Sequence, residues 1–146
     1  MLGLVVAGVA AACGGAEGPE GRVGDTVAVG WRVIADAERT LETQGSEADP
    51  ERVSDAHAAV QGARERLSRV EGVVRIWQDT GVGELGWYTL APCLATALDR
   101  VEERLRAASL PVPVDLDQAR AMAMEASDAD CRERRTADAE RAARAP

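Results

Sequence analysis

Phenylalanine and lysine are absent from this chain, and only 3% of its 146 residues are aromatic. The apolar residues are mainly alanine, valine and leucine, whose small side chains favour closely packed helices over a core with a large ligand cavity. Hydrophobic residues still make up 46% of the chain and charged residues 29%. That balance is typical of one folded domain rather than of a disordered segment.

Positive charge is also scarce. The 17 arginines are outnumbered by 25 aspartates and glutamates, which leaves a net charge of −8. Such a protein repels phosphate groups, so the composition argues against a nucleic-acid partner. It equally disfavours spontaneous binding to anionic lipid headgroups.

Few residues are suited to catalysis or metal binding. His57 is the only histidine, and no Glu-x-x-His or Cys-x-x-Cys pattern accompanies it. The segment 81–86 matches the G-x-G-x-x-G pattern of dinucleotide-binding loops, but no βαβ pattern surrounds it, and Glu84 would repel a phosphate. We therefore expect an interhelical loop there, no nucleotide, no metal, no other cofactor and no enzymatic activity.

The first twelve residues, MLGLVVAGVAAA, form an uncharged apolar run that is followed by Cys13. A short apolar run closed by small residues is typical of a secretory signal peptide. Even extended to Ala16, such a helix would span only about 24 Å, less than the roughly 30 Å hydrocarbon layer of a bilayer. A transmembrane anchor is therefore the poorer interpretation.

The sequence Ala10-Ala11-Ala12-Cys13 resembles the lipobox of bacterial lipoproteins, with Ala10 at the position where the family favours leucine. The resemblance implies that residues 1–12 are a signal peptide and that Cys13 is acylated and becomes the mature N-terminus. Residues 13–21, rich in glycine, would then form a flexible tether to a domain of residues 22–146. An ordinary cleaved signal peptide or an N-terminal core helix are the alternatives.

Helical periodicity marks four segments, at about 22–44, 50–79, 87–108 and from 115 onward. The clearest apolar stripe lies in the second segment: Val53, Ala56, Val60, Ala63, Leu67, Val70, Val74 and Trp77. Pro92 in the third segment predicts either that the regular helix starts near Ala91 or that it kinks. We expect an all-α protein, a small up-down-up-down four-helix bundle, with a long helical hairpin that dimerises as the alternative.

Cys93 and Cys131 are spaced as a disulfide across such a bundle would require. Cys93 lies 15 residues before Ala108, and Cys131 lies 16 residues after Asp115. At 1.5 Å per residue these rises are about 22 and 24 Å in opposite directions, so both thiols return to nearly the same level. In an oxidising compartment we expect these cysteines to pair; two buried free thiols are the alternative.

The aromatic residues Trp31, Trp77, Trp87 and Tyr88 are all expected near the end of the bundle that carries the tether. Large rings there either fill the end of the core or form an interaction patch that faces a membrane or a partner. Together these features predict an exported lipoprotein of the bacterial cell envelope, anchored in a lipid bilayer by its acyl chains and acting as a structural module or binding an envelope protein. The alternative is a surface inhibitor or immunity-type protein whose acidic charge complements a basic enzyme.

Overall fold

A computed structural model of the chain describes residues 19–82, 84–126, 140 and 143–144. The helices are α1 (Pro19–Gln44), α2 (Pro50–Thr80), α3 (Glu84–Ala107) and α4 (Leu116–Ala126). A 3₁₀ turn, Gly45–Glu47, follows α1. The described part of the chain has no β-strand, so the prediction of an all-α protein is confirmed.

Helix α2 begins and ends where the sequence predicts. The Asp49 side chain accepts hydrogen bonds from the backbone N–H groups of Glu51 and Arg52, at 2.9 and 3.2 Å, and Pro50 occupies the first turn. Asp49 therefore satisfies donors that the helix itself leaves unpaired. At the other end Gly81 adopts a left-handed φ of 73°, and its N–H donates to the Trp77 carbonyl. Only residues 81–83 of the glycine-rich segment 81–86 connect the two helices, because residues 84–86 form the start of α3; the interhelical loop is shorter than predicted.

Helix α3 runs from Glu84 through Pro92 without a break, which decides against a start near Ala91. Its C-terminus closes with two backbone hydrogen bonds, from Ser109 to Arg106 and from Leu110 to Leu105. This is a Schellman motif, in which the residue after the cap has left-handed backbone; here that residue is Ser109, at φ 58°.

Contacts along α1 and α2 show that these helices are antiparallel. The Trp31 indole donates to Glu71, while Glu38, further along α1, pairs with Arg64, which lies earlier on α2. Residue numbers on the two helices therefore run in opposite directions along the interface. The five-residue connection between the helices requires the same arrangement.

Helices α2 and α3 are antiparallel with a constant register. Arg52 donates to the Ala107 carbonyl, Asp55 pairs with Arg104 at 4.0 Å, and Val73 lies against Gly86. Helix α4 then packs against both α3 and α1, which closes the ring of four helices. The up-down-up-down bundle is confirmed, and its core closes within one chain rather than between two hairpins.

One continuous hydrophobic core runs through the bundle. Every residue of the α2 stripe is buried except Val53, which is half-buried against the core. Helical periodicity marks one stripe on α1: Val23, Val27, Gly30, Ile34, Ala37 and Leu41. Helix α1 buries more than this stripe, because Val29 and Val33 lie beside it and are covered as well. Helix α1 needs this wider apolar face because it contacts both α2 and α4.

The N-terminal boundary of the bundle differs from the sequence prediction. Helix α1 begins at Pro19 rather than near Arg22, so residues 19–21, predicted as the end of the tether, are helical. Residues 1–18 lie outside the described part of the chain. The signal peptide and the acylation of Cys13 therefore remain predictions.

Candidate functional site

Cys93 is exposed on α3, at the flank of the helix that faces α2. Its predicted disulfide partner, Cys131, lies outside the described residues, so the pairing stays a prediction. The α3 residues that contact α4 include Glu102, nine positions and about two and a half turns from Cys93, and therefore on the opposite flank.

Three of the four aromatic residues are buried. Trp77, Trp87 and Tyr88 are 7%, 2% and 5% exposed, at the end of α2 and the start of α3. Their burial favours the interpretation in which large rings fill one end of the core, because a docking surface needs accessible side chains.

Trp31, near the middle of α1, is half-buried against the same core. Its Nε1 donates to a carboxylate oxygen of Glu71 at 2.8 Å, and the Arg64 guanidinium lies 5.6 Å from the ring centroid. In the α2–α3 register Glu71 lies opposite Tyr88, so Trp31 lies at the level of the start of α3, where Trp87 and Tyr88 are buried. Its ring is at the surface of the core rather than inside it.

An open groove of about 290 Å³ lies between α2 and α3. Its walls are mostly small: the lining residues are Ala58, Ala59, Gly62 and Arg66 from α2 and Pro92, Cys93, Thr96, Ala97 and Arg100 from α3. None of these nine residues is acidic, although the chain as a whole carries a charge of −8. The groove is therefore a locally basic surface on an acidic protein.

Neither of the two arginines of the groove has an ion pair among the residues that the structure describes. Eight arginines of α1–α4 have a described ion pair or a hydrogen bond from the side chain: Arg32, Arg39, Arg52, Arg64, Arg75, Arg104, Arg106 and Arg120. Within the described helices, Arg66, Arg69 and Arg100 form no such pair, and all three are exposed. Two of these three arginines border the same groove.

On the other flank of α3, charged residues form a closed network. Arg120 of α4 donates to Asp99 at 2.9 Å and to Glu102 at 2.5 Å, and it also pairs with Asp117. Arg106 donates to Glu102 from the following turn. Hydrogen bonds donated by Arg106 and then by Arg120 lower the pKa of Glu102. The hydrogen bonds that Arg120 donates to Asp99 and then to Glu102 raise the pKa of Arg120. This network holds α4 against α3.

The described residues form neither a candidate metal site nor a candidate membrane-spanning helix. Across the described ranges, no three His, Cys, Asp or Glu side chains are grouped so that they could hold a metal ion. None of the helices searched among these residues is both long and apolar enough to cross a bilayer. His57 is exposed on α2.

No protein-family model matches the chain, and no curated protein and no solved structure is significantly similar to it. The sequence did not single out Arg66 and Arg100. One signal could have indicated Arg66: it has no acidic residue three or four positions away on α2, where a helical ion pair would form.

Proposed function

We propose that this chain is an exported lipoprotein of a bacterial cell envelope, and that its bundle acts as a protein-interaction or structural module. The observation that carries the proposal is the uncharged leader of residues 1–12 followed by the lipobox-like Ala10–Cys13 and a glycine-rich segment. Acyl chains on Cys13 would hold the protein at a bilayer, because each buried methylene of an acyl chain contributes about 0.8 kcal/mol.

A binding role rather than catalysis is supported by where the charged groups lie. The carboxylates of Asp99, Glu102 and Asp117 are engaged by Arg120. By contrast, the α2–α3 groove offers exposed arginines and small side chains, which suit contact with another macromolecule. An inhibitor that complements a basic enzyme would need an acidic docking surface, so this groove does not favour that alternative.

Mass spectrometry of the full chain, expressed with its own leader in a bacterium, tests the anchor. We expect residues 1–12 to be lost and Cys13 to carry acyl chains, with the protein retained on membranes after a high-salt wash. Cys13→Ser should release the protein from membranes with an unchanged thermal unfolding midpoint, and Cys93→Ser is the matched control that should remain anchored. Residues 1–12 found intact on an unacylated protein in the cytoplasm would refute the proposal.

A further inference from the structure

The α2–α3 groove has the shape and charge of a helix-binding surface. Its floor is formed by alanines and by Gly62, where a Cβ atom would have no neighbouring atom within 4 Å. Small side chains allow another backbone to approach closely, and open space above Gly62 leaves room for a side chain of the incoming segment. Arg66 and Arg100, without ion pairs among the described residues, add positive charge at the rims.

We propose that this groove binds an acidic amphipathic helix of a partner protein, an inference that rests on the proposed function of the chain as an interaction module. Two arginines without a described acidic partner are complementary to two carboxylates, and such pairs set the orientation of a docked segment. A second copy that presented the same groove would bring arginine against arginine. An acidic partner avoids that repulsion.

The register between α2 and α3 fixes the spacing expected of the two carboxylates on the partner helix. Asp55 lies opposite Arg104 and Val73 opposite Gly86, so the same register places Arg100 at the level of Ala59. Arg66 is seven residues further along α2, which corresponds to about 10 Å. Two carboxylates seven positions apart on a helix are separated by the same rise and lie nearly on one face. The partner helix should therefore carry acidic residues at positions i and i+7.

The thiol of Cys93 provides a probe inside the groove, because the register places it at the level of Arg66. We would use a synthetic amphipathic helix with two glutamates at i and i+7 and a cysteine beside the first glutamate. A second peptide would have arginines at the two glutamate positions. Each is equilibrated with the full-length reduced protein in a thiol–disulfide redox buffer, and the mixed disulfide at Cys93 is quantified by peptide mass mapping.

At low salt we expect the glutamate peptide to be captured at Cys93 about fivefold more than the arginine peptide. Two exposed ion pairs would stabilise the bound glutamate peptide by about this factor. The overall charge of −8 would favour the arginine peptide, so this preference reports the groove itself. A double change, Arg66→Glu with Arg100→Glu, should reverse the preference. Arg39→Glu on α1, an exposed arginine away from the groove, should leave it unchanged.

A steric variant tests the shape of the groove independently of charge. Gly62→Leu should fill the groove and lower capture of the glutamate peptide at least fivefold. Gly72→Leu is the matched control, because Gly72 is also on α2, has equally open space and does not line the groove. That variant should capture the peptide as the unchanged protein does.

Several results would overturn the inference. One is equal or greater capture of the arginine peptide. Another is unchanged capture of the glutamate peptide by the Gly62→Leu variant. A third is that Cys93 of the native protein is bonded to a second copy of the chain. The proposed function would survive each of them if Cys13 is acylated and an envelope protein crosslinks to another face of the bundle. An unacylated cytoplasmic chain that still prefers the glutamate peptide would instead leave the groove assignment standing and remove the proposed function.

Discussion

Two described residues have left-handed backbone at helix ends, and only one of them is glycine. Gly81 closes α2 at φ 73°, whereas Ser109 closes α3 at φ 58°. A side chain in this conformation crowds the following carbonyl oxygen, at a cost of about 1–2 kcal/mol for an ordinary L-residue. Glycine avoids that strain but adds conformational entropy to the unfolded chain.

Ser109→Gly should therefore raise the free energy of unfolding, by about 0.5 kcal/mol after the entropy of the unfolded chain is subtracted. Gly81→Ser should lower it by a similar amount, about 0.5 kcal/mol, because it introduces at α2 the strain that α3 already carries. Urea denaturation followed by circular dichroism measures both changes. If Ser109→Gly lowered stability, the left-handed assignment at the end of α3 would be wrong.

At the scale of elements, Gly30 of α1 lies directly against the side chain of Leu67 of α2. A Cβ atom there would lie 3.0 and 3.1 Å from the two terminal methyl carbons of Leu67, which is fully buried. Gly30→Ala should destabilise the protein by about 1 kcal/mol, because overpacking of a filled core outweighs the better helix propensity of alanine.

The matched control is Gly72→Ala on α2, where the added methyl group meets open space. That variant should gain about 0.5–1 kcal/mol from helix propensity alone. Thermal melts of the two variants beside the unchanged protein would show shifts of opposite sign. Equal stabilisation by both substitutions would mean that Leu67 can yield and that the α1–α2 contact is looser than described.

The link between α3 and α4 should depend on pH through Glu102. Its pKa is lowered in the folded protein by Arg106 and Arg120, so the stabilisation is fully present above its ordinary value of 4.5 and is lost as the pH falls below it. Because Glu102 and its two arginine partners are partly solvated, the pH-dependent change in the free energy of unfolding should be less than about 1 kcal/mol. The raised pKa of Arg120 has no effect in this range, since the guanidinium stays charged.

Arg120→Gln should therefore reduce the loss of stability between about pH 5 and pH 3, measured as the difference in urea midpoints. Arg69→Gln, which removes an exposed arginine without a described ion pair, serves as the control and should retain the pH dependence of the unchanged protein. If the two variants behave alike, the network does not couple α4 to α3.

Periodicity in the sequence was sufficient to predict α2 and α3, because residues such as Leu67 and Leu98 repeat at helical spacing and are fully buried. It could not show that α1 buries Val29 and Val33, since that depends on where α4 packs. Periodicity could not predict the groove either, because Arg66 and Arg100 are 34 positions apart in the sequence. Only the register between α2 and α3 brings them to the same groove.

At the scale of the whole molecule, the exposed large apolar residues are scattered. Val114 lies at the α3–α4 connection, whereas Ile76 and Val82 lie at the opposite end of the bundle, where α2 ends. Isolated apolar side chains of this kind are normal on a monomer and do not form an extended interface. The apolar stripes that a hairpin would need for dimerisation are already buried within one chain.

We therefore expect the protein without acyl chains to be a monomer whose unfolding midpoint does not change with concentration. A dimer held by its stripes would unfold at a higher temperature as the protein is concentrated, because association stabilises the folded state by mass action. Thermal melts of Cys13→Ser over a hundredfold range of concentration, under reducing conditions, distinguish the two cases. A midpoint that rose steadily over this range would mean that the chain completes its core with a second copy, and the groove between α2 and α3 would then have to be reassigned to that interface.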